Sequence, residues 1–111
     1  MHINSIHQQI PFITKDGSTI LSILDQSNAP VRNQSLAEAR LPAKKSTQRH
    51  YHKASEEFYF LLEGQAEMEI EGITKEVSSG NAVLIPAGSW HQITASGDGP
   101  IRLLCCCSPP Y

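Results

Sequence analysis

The sequence predicts an all-β fold in which many short strands form one barrel or sandwich. Short apolar runs recur along the chain, and turns that contain Gly or Pro separate them. With 111 residues, of which 40% are hydrophobic, the chain has enough apolar material for one core and is too short for two. We therefore expect a single domain, with residues 1–30 as an N-terminal extension that packs on a barrel formed by residues 31–111.

The first thirty residues carry two signals that point in different directions. Residues 10–14 are typical of an edge strand, because Pro11 lies near the start of the segment. The Asp16-Gly17 pair that follows is a hairpin signal. In residues 19–24, however, the apolar side chains recur at helical spacing after a possible cap at Asp16 or Ser18. We predict one short helix here, packed on the outside of the barrel.

Residues 31–41 predict a strand whose side chains alternate between two faces. One face carries Ser35, Ala37, Ala39 and Leu41, and the other carries Leu36, Glu38 and Arg40. The small side chains of Ala37 and Ala39 would leave room for a ligand, so both are candidate pocket residues.

Two histidines and a carboxylate lie at the start of the next predicted strand. In an extended His50-Tyr51-His52 segment, alternate side chains share a face, so both imidazoles point the same way. Glu57 follows a short polar link and begins the run FYFLL, which is typical of a buried strand. Gly64 then turns the chain, since glycine adopts a positive φ that other residues resist.

A hairpin is predicted over residues 65–77, because Glu71-Gly72 can form its two-residue loop. This loop would pair Ile70 with Ile73 and Met68 with Lys75. The apolar side chains of both strands would then share one face and the glutamates the other, so that one side of the hairpin packs on the core.

Residues 80–91 supply a third histidine. A short apolar strand over residues 82–85, which we expect to be buried, is followed by a turn at Pro86-Ala87-Gly88. His91 then begins another strand. Three neutral imidazoles and one carboxylate suit a divalent transition metal, and the candidate ligands are His50, His52, Glu57 and His91.

These two stretches resemble the two sequence motifs of the cupin family. The first motif is Gly, five residues, His-x-His, three or four residues, Glu, six residues and Gly. The second is Gly, five residues, Pro-x-Gly, two residues, His, three residues and Asn. The positions that match are His50, His52, Glu57, Gly64, Gly80, Pro86, Gly88 and His91. Two positions depart from the motifs, since the opening glycine of the first is absent near Lys44 and the closing asparagine of the second is Ala95.

The resemblance implies a double-stranded β-helix, a jelly-roll-like cupin barrel, whose interior holds one metal on those four ligands. A metal that prefers six ligands would keep two adjacent positions for water, dioxygen or a bidentate substrate. Imidazole and carboxylate accept iron, manganese, zinc or nickel, so the residue types leave the identity of the metal open.

Strand parity selects further pocket candidates beside each ligand, namely Gln48 next to His50, Tyr59 next to Glu57 and Ile93 next to His91. Tyr59 is the candidate catalytic group as a proton donor, although an aromatic residue at such a position is more often part of the core.

Two classes of function are compatible with this site. The resemblance implies a metal-dependent enzyme of the dioxygenase, isomerase or lyase type that acts on a small oxygen-rich molecule, and it equally allows a non-catalytic small-molecule binder. An open metal position favours the enzyme. Because no second carboxylate, histidine or lysine has pocket parity, catalysis would depend on the metal itself.

The three consecutive cysteines, Cys105 to Cys107, lie in the last predicted strand, over residues 101–107. Adjacent strand residues cannot reach disulfide geometry, and Cys106 faces away from its neighbours. We expect free, dispensable thiols that fill both faces of a buried strand, the alternative being a redox-sensitive thiol near the metal pocket.

Charge and hydropathy limit the partners. The formal net charge is −2 and the charges are interspersed, so nothing indicates a nucleic acid or an anionic membrane as a partner.

Nothing at the N-terminus resembles a signal peptide, so we expect a cytoplasmic protein. Phe58, Phe60 and Leu62 would face outward, which predicts a homodimer.

Overall fold

The computed structural model describes residues 1–14 and 17–110. Within these ranges, a 3-10 helix over Ile6–Gln8 precedes nine strands. They are β1 (Phe12–Ile13), β2 (Thr19–Leu24), β3 (Ser35–Leu41), β4 (Glu56–Glu63), β5 (Gln65–Ile70), β6 (Ile73–Ser78), β7 (Ala82–Ile85), β8 (His91–Ala95) and β9 (Ile101–Ser108). None of the described residues belongs to a helix that is long and apolar enough to cross a bilayer.

The strands form two antiparallel sheets, a six-stranded one in the order β1-β2-β3-β9-β4-β7 and a three-stranded one in the order β6-β5-β8. This architecture confirms the predicted all-β, jelly-roll-like barrel. The core lies between the sheets, and each large apolar side chain buried there stabilises the fold by about 1.5–3 kcal/mol. Its large side chains that are almost fully buried are Leu41, Ile85, Ile93, Ile101 and Leu103.

The helix predicted for residues 19–24 is wrong, because this segment forms strand β2. It pairs with β1 on one side and with β3 on the other, and Ile20 lies opposite both Phe12 and Ala39. Side chains on both faces of β2 are at least half-buried, so apolar residues occupy successive positions and imitate helical spacing. Asp16, the possible cap, lies outside the described residues. The proposed division of the chain at residue 30 stays a prediction.

The register predicted for the hairpin is confirmed, since Ile70 lies opposite Ile73 and Met68 opposite Lys75. Glu71 and Gly72 both have positive φ, at 49° and 82°, as a tight two-residue turn requires. The expected burial fails on β6, however, where Ile73 is 66% exposed. β6 is the edge strand of its sheet, and Val77 is its only residue that is not exposed.

The expected burial of residues 82–85 is also wrong, since Leu84 is 53% exposed and only Ile85 is fully buried. β7 forms an edge of the six-stranded sheet, and its face that carries Ala82 and Leu84 is exposed. A groove of about 690 Å³ separates the edge strands β6 and β7, and its lining includes Ile73 and Leu84.

Glu38 is only 1% exposed although its neighbour Arg40 reaches solvent. Arg40 and Arg102 both donate to its carboxylate, Arg102 at 3.0 Å. Burial raises the pKa of Glu38, but these two guanidinium groups lower it by more. The buried carboxylate is therefore paired, as such groups must be.

Candidate metal centre

Backbone pairing holds His50 and His91 side by side. The His50 N–H donates to the His91 carbonyl at 3.1 Å, and the His91 N–H donates to the His50 carbonyl at 2.8 Å. The two residues therefore form an opposed antiparallel pair, with ring centroids 4.3 Å apart. The ring of His52 lies on the same side as that of His50, as predicted, with centroids 5.1 Å apart.

Glu57, at the start of β4, completes the cluster. Its Oε1 lies 3.5 Å from both His52 Nε2 and His91 Nε2. Each histidine also offers a ring nitrogen within 4.8 Å of the nitrogens of the other two. Glu57 and His91 are fully buried, whereas His50 and His52 are half-buried toward the mouth of the site. The structure thus brings the four predicted ligands together.

Backbone carbonyls fix the tautomers of two histidines. His91 Nδ1 lies 2.9 Å from the Ser89 carbonyl oxygen, and His50 Nδ1 lies 2.7 Å from that of Gln48. Because a carbonyl oxygen only accepts, each Nδ1 carries a proton, and the neutral ring keeps its lone pair on Nε2. His91 Nε2 has no hydrogen-bond partner among the described residues, and it lies 3.5 Å from Glu57 Oε1. A metal ion, or a proton on Nε2, between these two atoms would satisfy both.

The electrostatics of the site favour an ionised carboxylate. Burial raises the pKa of Glu57, but His52, His91 and the Cys107 thiol lower it by more, to about 2. Burial lowers the pKa of His50, and the other two histidines add to this effect. For His91, burial also lowers the pKa, but Glu57 and the Ser89 carbonyl outweigh it and raise the value.

This donor set fits a divalent transition metal. Imidazole nitrogens and a carboxylate oxygen are suitable ligands for such ions. Donor atoms about 2.1 Å from one metal lie about 3 Å apart when they are adjacent, and Glu57 Oε1 is 3.5 Å from each of two ring nitrogens. In their neutral form, the rings of His50 and His91 also keep a lone pair on Nε2 that can bind the ion.

Replacing Glu57 with glutamine should change how the stability of the metal-free protein depends on pH. The carboxyl has a pKa of 4.5 ordinarily and about 2 in the fold. Its charge therefore stabilises the fold above pH 4.5, and this contribution, on the order of 3 kcal/mol, is lost as the pH falls toward 2. Urea unfolding of chelator-treated protein at several pH values would measure the difference between wild type and variant, which should shrink over this range. A constant difference would contradict the ionised state of Glu57.

A cavity of about 240 Å³ opens beside His50. Most of its lining is apolar, and hydroxyl groups come from Thr14, Ser18, Thr47 and Tyr59. None of the lining residues in the described part of the chain is Asp, Glu, Lys or Arg. The larger groove between β6 and β7 contains none of the candidate ligands, so the smaller cavity is the candidate substrate pocket.

Three of the five predicted pocket residues, Ala39, Tyr59 and Ile93, line this cavity. The Tyr59 ring lies edge-on to that of His91, with centroids 6.0 Å apart. The Gln48 side chain is exposed, and its backbone carbonyl is the group that contacts His50. Ala37 is half-buried and lies outside the lining.

Sequence reasoning missed several residues of the site. Phe12 and Ile20 reach the cavity from β1 and β2, and Thr47 replaces the predicted Gln48 in its lining. Cys107 contacts Glu57, with Sγ 3.1 Å from Oε2. Only the pairing of β4 with β9, which sets these two residues opposite each other, could have indicated that contact.

Known proteins match this chain in sequence and in fold. The family model for the Cupin domain matches residues 37–107. An uncharacterized protein of Methanocaldococcus jannaschii is 42% identical over 101 residues, which are 91% of this chain and 81% of that protein.

Solved structures share the fold at low sequence identity. A predicted oxalate decarboxylase from Thermotoga maritima has a TM-score of 0.86 at 17% identity, with 96% of this chain and 98% of that chain covered. The polyketide cyclase RemF from Streptomyces resistomycificus has a TM-score of 0.83 at 23% identity, with 97% and 79% covered. At these identities, the likeness concerns the fold alone.

Proposed function

This chain belongs to the cupin family, and from that premise we propose that it is a metal-dependent enzyme acting on a small molecule inside the barrel. The observation that carries the proposal is the convergence of His50, His52, Glu57 and His91. The pair formed by His91 Nε2 and Glu57 Oε1 is the strongest part of it, since both residues are fully buried and these atoms lie 3.5 Å apart.

These four residues would hold one divalent ion, with iron, manganese, zinc and nickel as the candidates. Such an ion, when bound, polarises a substrate oxygen or lowers the pKa of a bound water. The protein supplies a buried carboxylate, three imidazole rings and a mostly apolar cavity beside them. Tyr59 is the proposed proton donor, because its ring lines the cavity and lies against His91.

The cavity also limits the substrate. Its carbon skeleton would occupy the apolar part of about 240 Å³, and one or two oxygen atoms would face the metal. Since no Lys or Arg is among the described lining residues, the metal would have to neutralise a substrate carboxylate. The two structural neighbours named above support an enzyme through their names, one a predicted decarboxylase and the other a cyclase. Dioxygenase, isomerase and lyase chemistry all fit such a site.

Ligand binding should require the metal. Small hydroxy- and keto-acids should bind to metal-loaded protein at least about tenfold more tightly than to chelator-treated protein, because the substrate oxygens would bind the ion directly. Isothermal titration of both forms with the same acids would measure this, after metal analysis of protein purified without added metal. Equal affinities would favour the alternative function, a non-catalytic binder.

We also propose that two copies pair through the outer face of the six-stranded sheet. Phe58 is 51% exposed on this face, and it lies between Leu84 on β7 and Cys106 on β9. Phe60, on the same face, is exposed as well. An apolar patch of this kind is unusual on a monomer, and twofold dimers are the commonest assembly.

Sedimentation should therefore give a species of twice the 12.2 kDa chain mass. Phe58→Glu should shift it to the monomer, because it places two charges in the buried centre of the interface. Ile73→Glu is the matched control, since Ile73 is also an exposed apolar residue but lies on β6 of the other sheet. A wild-type protein that sediments as a monomer at micromolar concentration would contradict the dimer.

A further inference from the structure

The thiol of Cys107 lies against the carboxylate of the candidate metal centre. Cys107 on β9 and Glu57 on β4 are opposed residues of an antiparallel pair, and both side chains are fully buried. The thiol donates to Glu57 Oε2 at 3.1 Å. Its sulfur, a Glu57 oxygen and a His52 nitrogen all lie within 4.8 Å of one another.

The two oxygens of this carboxylate therefore have different neighbours. Oε2 accepts from the Cys107 thiol, whereas Oε1 lies 3.5 Å from both His52 Nε2 and His91 Nε2. We propose that Cys107 is a positioning residue, whose thiol holds Oε2 so that Glu57 presents Oε1 alone to the metal. This inference rests on the proposed function.

The consequence concerns the number of open metal positions. A carboxylate binds a cation through one oxygen or through both. With three histidines and one carboxylate oxygen, a six-coordinate ion keeps two positions for ligands, but a second carboxylate oxygen would take one of them. By engaging Oε2, the Cys107 thiol would preserve the second position, which a bidentate substrate needs.

The neighbouring cysteines provide matched controls. None of the three forms a disulfide within the described residues, as predicted, but the predicted dispensability would not hold for Cys107. Cys105 lies on the same face of β9, is also buried and is opposed to Tyr59 rather than Glu57. Replacing Cys105 therefore removes a buried sulfur without touching the carboxylate, and comparison with Cys107 separates loss of packing from loss of the hydrogen bond.

The hydrogen bond can be tested without metal by infrared spectroscopy. The S–H stretch falls where few other protein groups absorb, and a thiol that donates to a carboxylate absorbs at lower frequency than one in an apolar site. In chelator-treated protein, we expect Cys107→Ala to remove the lowest-frequency S–H band and Cys105→Ala to leave it. A spectrum in which Cys107→Ala removes a band at the frequency of an apolar thiol would overturn the inference.

The effect on the metal centre can be tested by titrating Zn²⁺ against a chromogenic chelator. Cys107→Ala should weaken Zn²⁺ binding about tenfold, at the lower end of the range for groups that orient ligands, because a thiol is a weak donor. Cys107→Ser should bind more tightly than the alanine variant, since a hydroxyl also donates, and Cys105→Ala should match wild type.

The outcomes distinguish the inference from the function on which it rests. A wild type that binds no Zn²⁺ would overturn both. A wild type that binds Zn²⁺ no more tightly than its folded Cys107→Ala variant would overturn the inference alone. Should the alanine variant fail to fold, the infrared spectrum of Cys107→Ser decides instead, since loss of a band at the frequency of an apolar thiol would overturn the inference.

Discussion

Replacing His52 with alanine is expected to reduce the bound metal from one ion per chain to almost none while the barrel persists. His52 is one of four predicted ligands, and its Nε2 lies 3.5 Å from Glu57 Oε1. Loss of a direct ligand should weaken binding by more than about 100-fold, beyond the effect of losing an orienting group. The fold should survive because His52 lies before β4 and outside the apolar core.

Elemental analysis of the purified protein and Zn²⁺ titration would measure this effect, and circular dichroism would monitor the fold. His7→Ala is the control, since His7 is an exposed residue of the N-terminal 3-10 helix. Unchanged metal stoichiometry in the His52 variant would show that the four residues do not form the metal site. Loss of metal in the His7 variant would point to a site elsewhere.

Replacing Gly64 with alanine should destabilise the protein by about 4 kcal/mol, the sum of backbone strain and a steric clash. Gly64 joins β4 to β5 with a φ of 91°, a backbone conformation that residues with a Cβ rarely adopt. A Cβ there would lie 2.5 Å from the Pro100 carbonyl oxygen and 2.9 Å from Ile101 Cγ2. The carbonyl belongs to the backbone, so relief of the clash would require the chain before β9 to move.

Gly80→Ala separates the two contributions. Gly80 has nearly the same φ, 92°, but an added Cβ would meet no atom within 4 Å. Its replacement should therefore cost only the backbone strain, about 1–2 kcal/mol. Urea unfolding of both variants would give the two free energies. Equal losses would mean that the contact with Pro100 and Ile101 contributes nothing.

Local signals determined which features could be predicted from the sequence. The hairpin register followed from Glu71-Gly72, because a two-residue loop leaves one pairing for Ile70 and Ile73. The clustering of His50 and His52 followed in the same way from strand geometry. The prediction that Glu57 and His91 lie beside these two histidines depended on the resemblance to a family. Their positions in the chain imply proximity only within that fold.

The failures came from contacts between distant parts of the chain. Strand β2 resembled a helix because both of its faces are covered, a property of the neighbouring strands rather than of residues 19–24. Burial of Glu38 depends on Arg102, which lies 64 positions away. The contact between Glu57 and Cys107 likewise spans 50 positions. No local periodicity encodes such pairings.

The central place of β9 has a consequence for biosynthesis. β3 and β4 are not neighbours in the six-stranded sheet, and β9, which follows both in the chain, lies between them. Until β9 has emerged from the ribosome, β3 and β4 each present an unpaired edge. Such edges promote aggregation. Pairing between distant segments also slows folding. We therefore expect the nascent chain to depend on protection by chaperones until β9 has emerged, and the candidate metal centre to form only after that point.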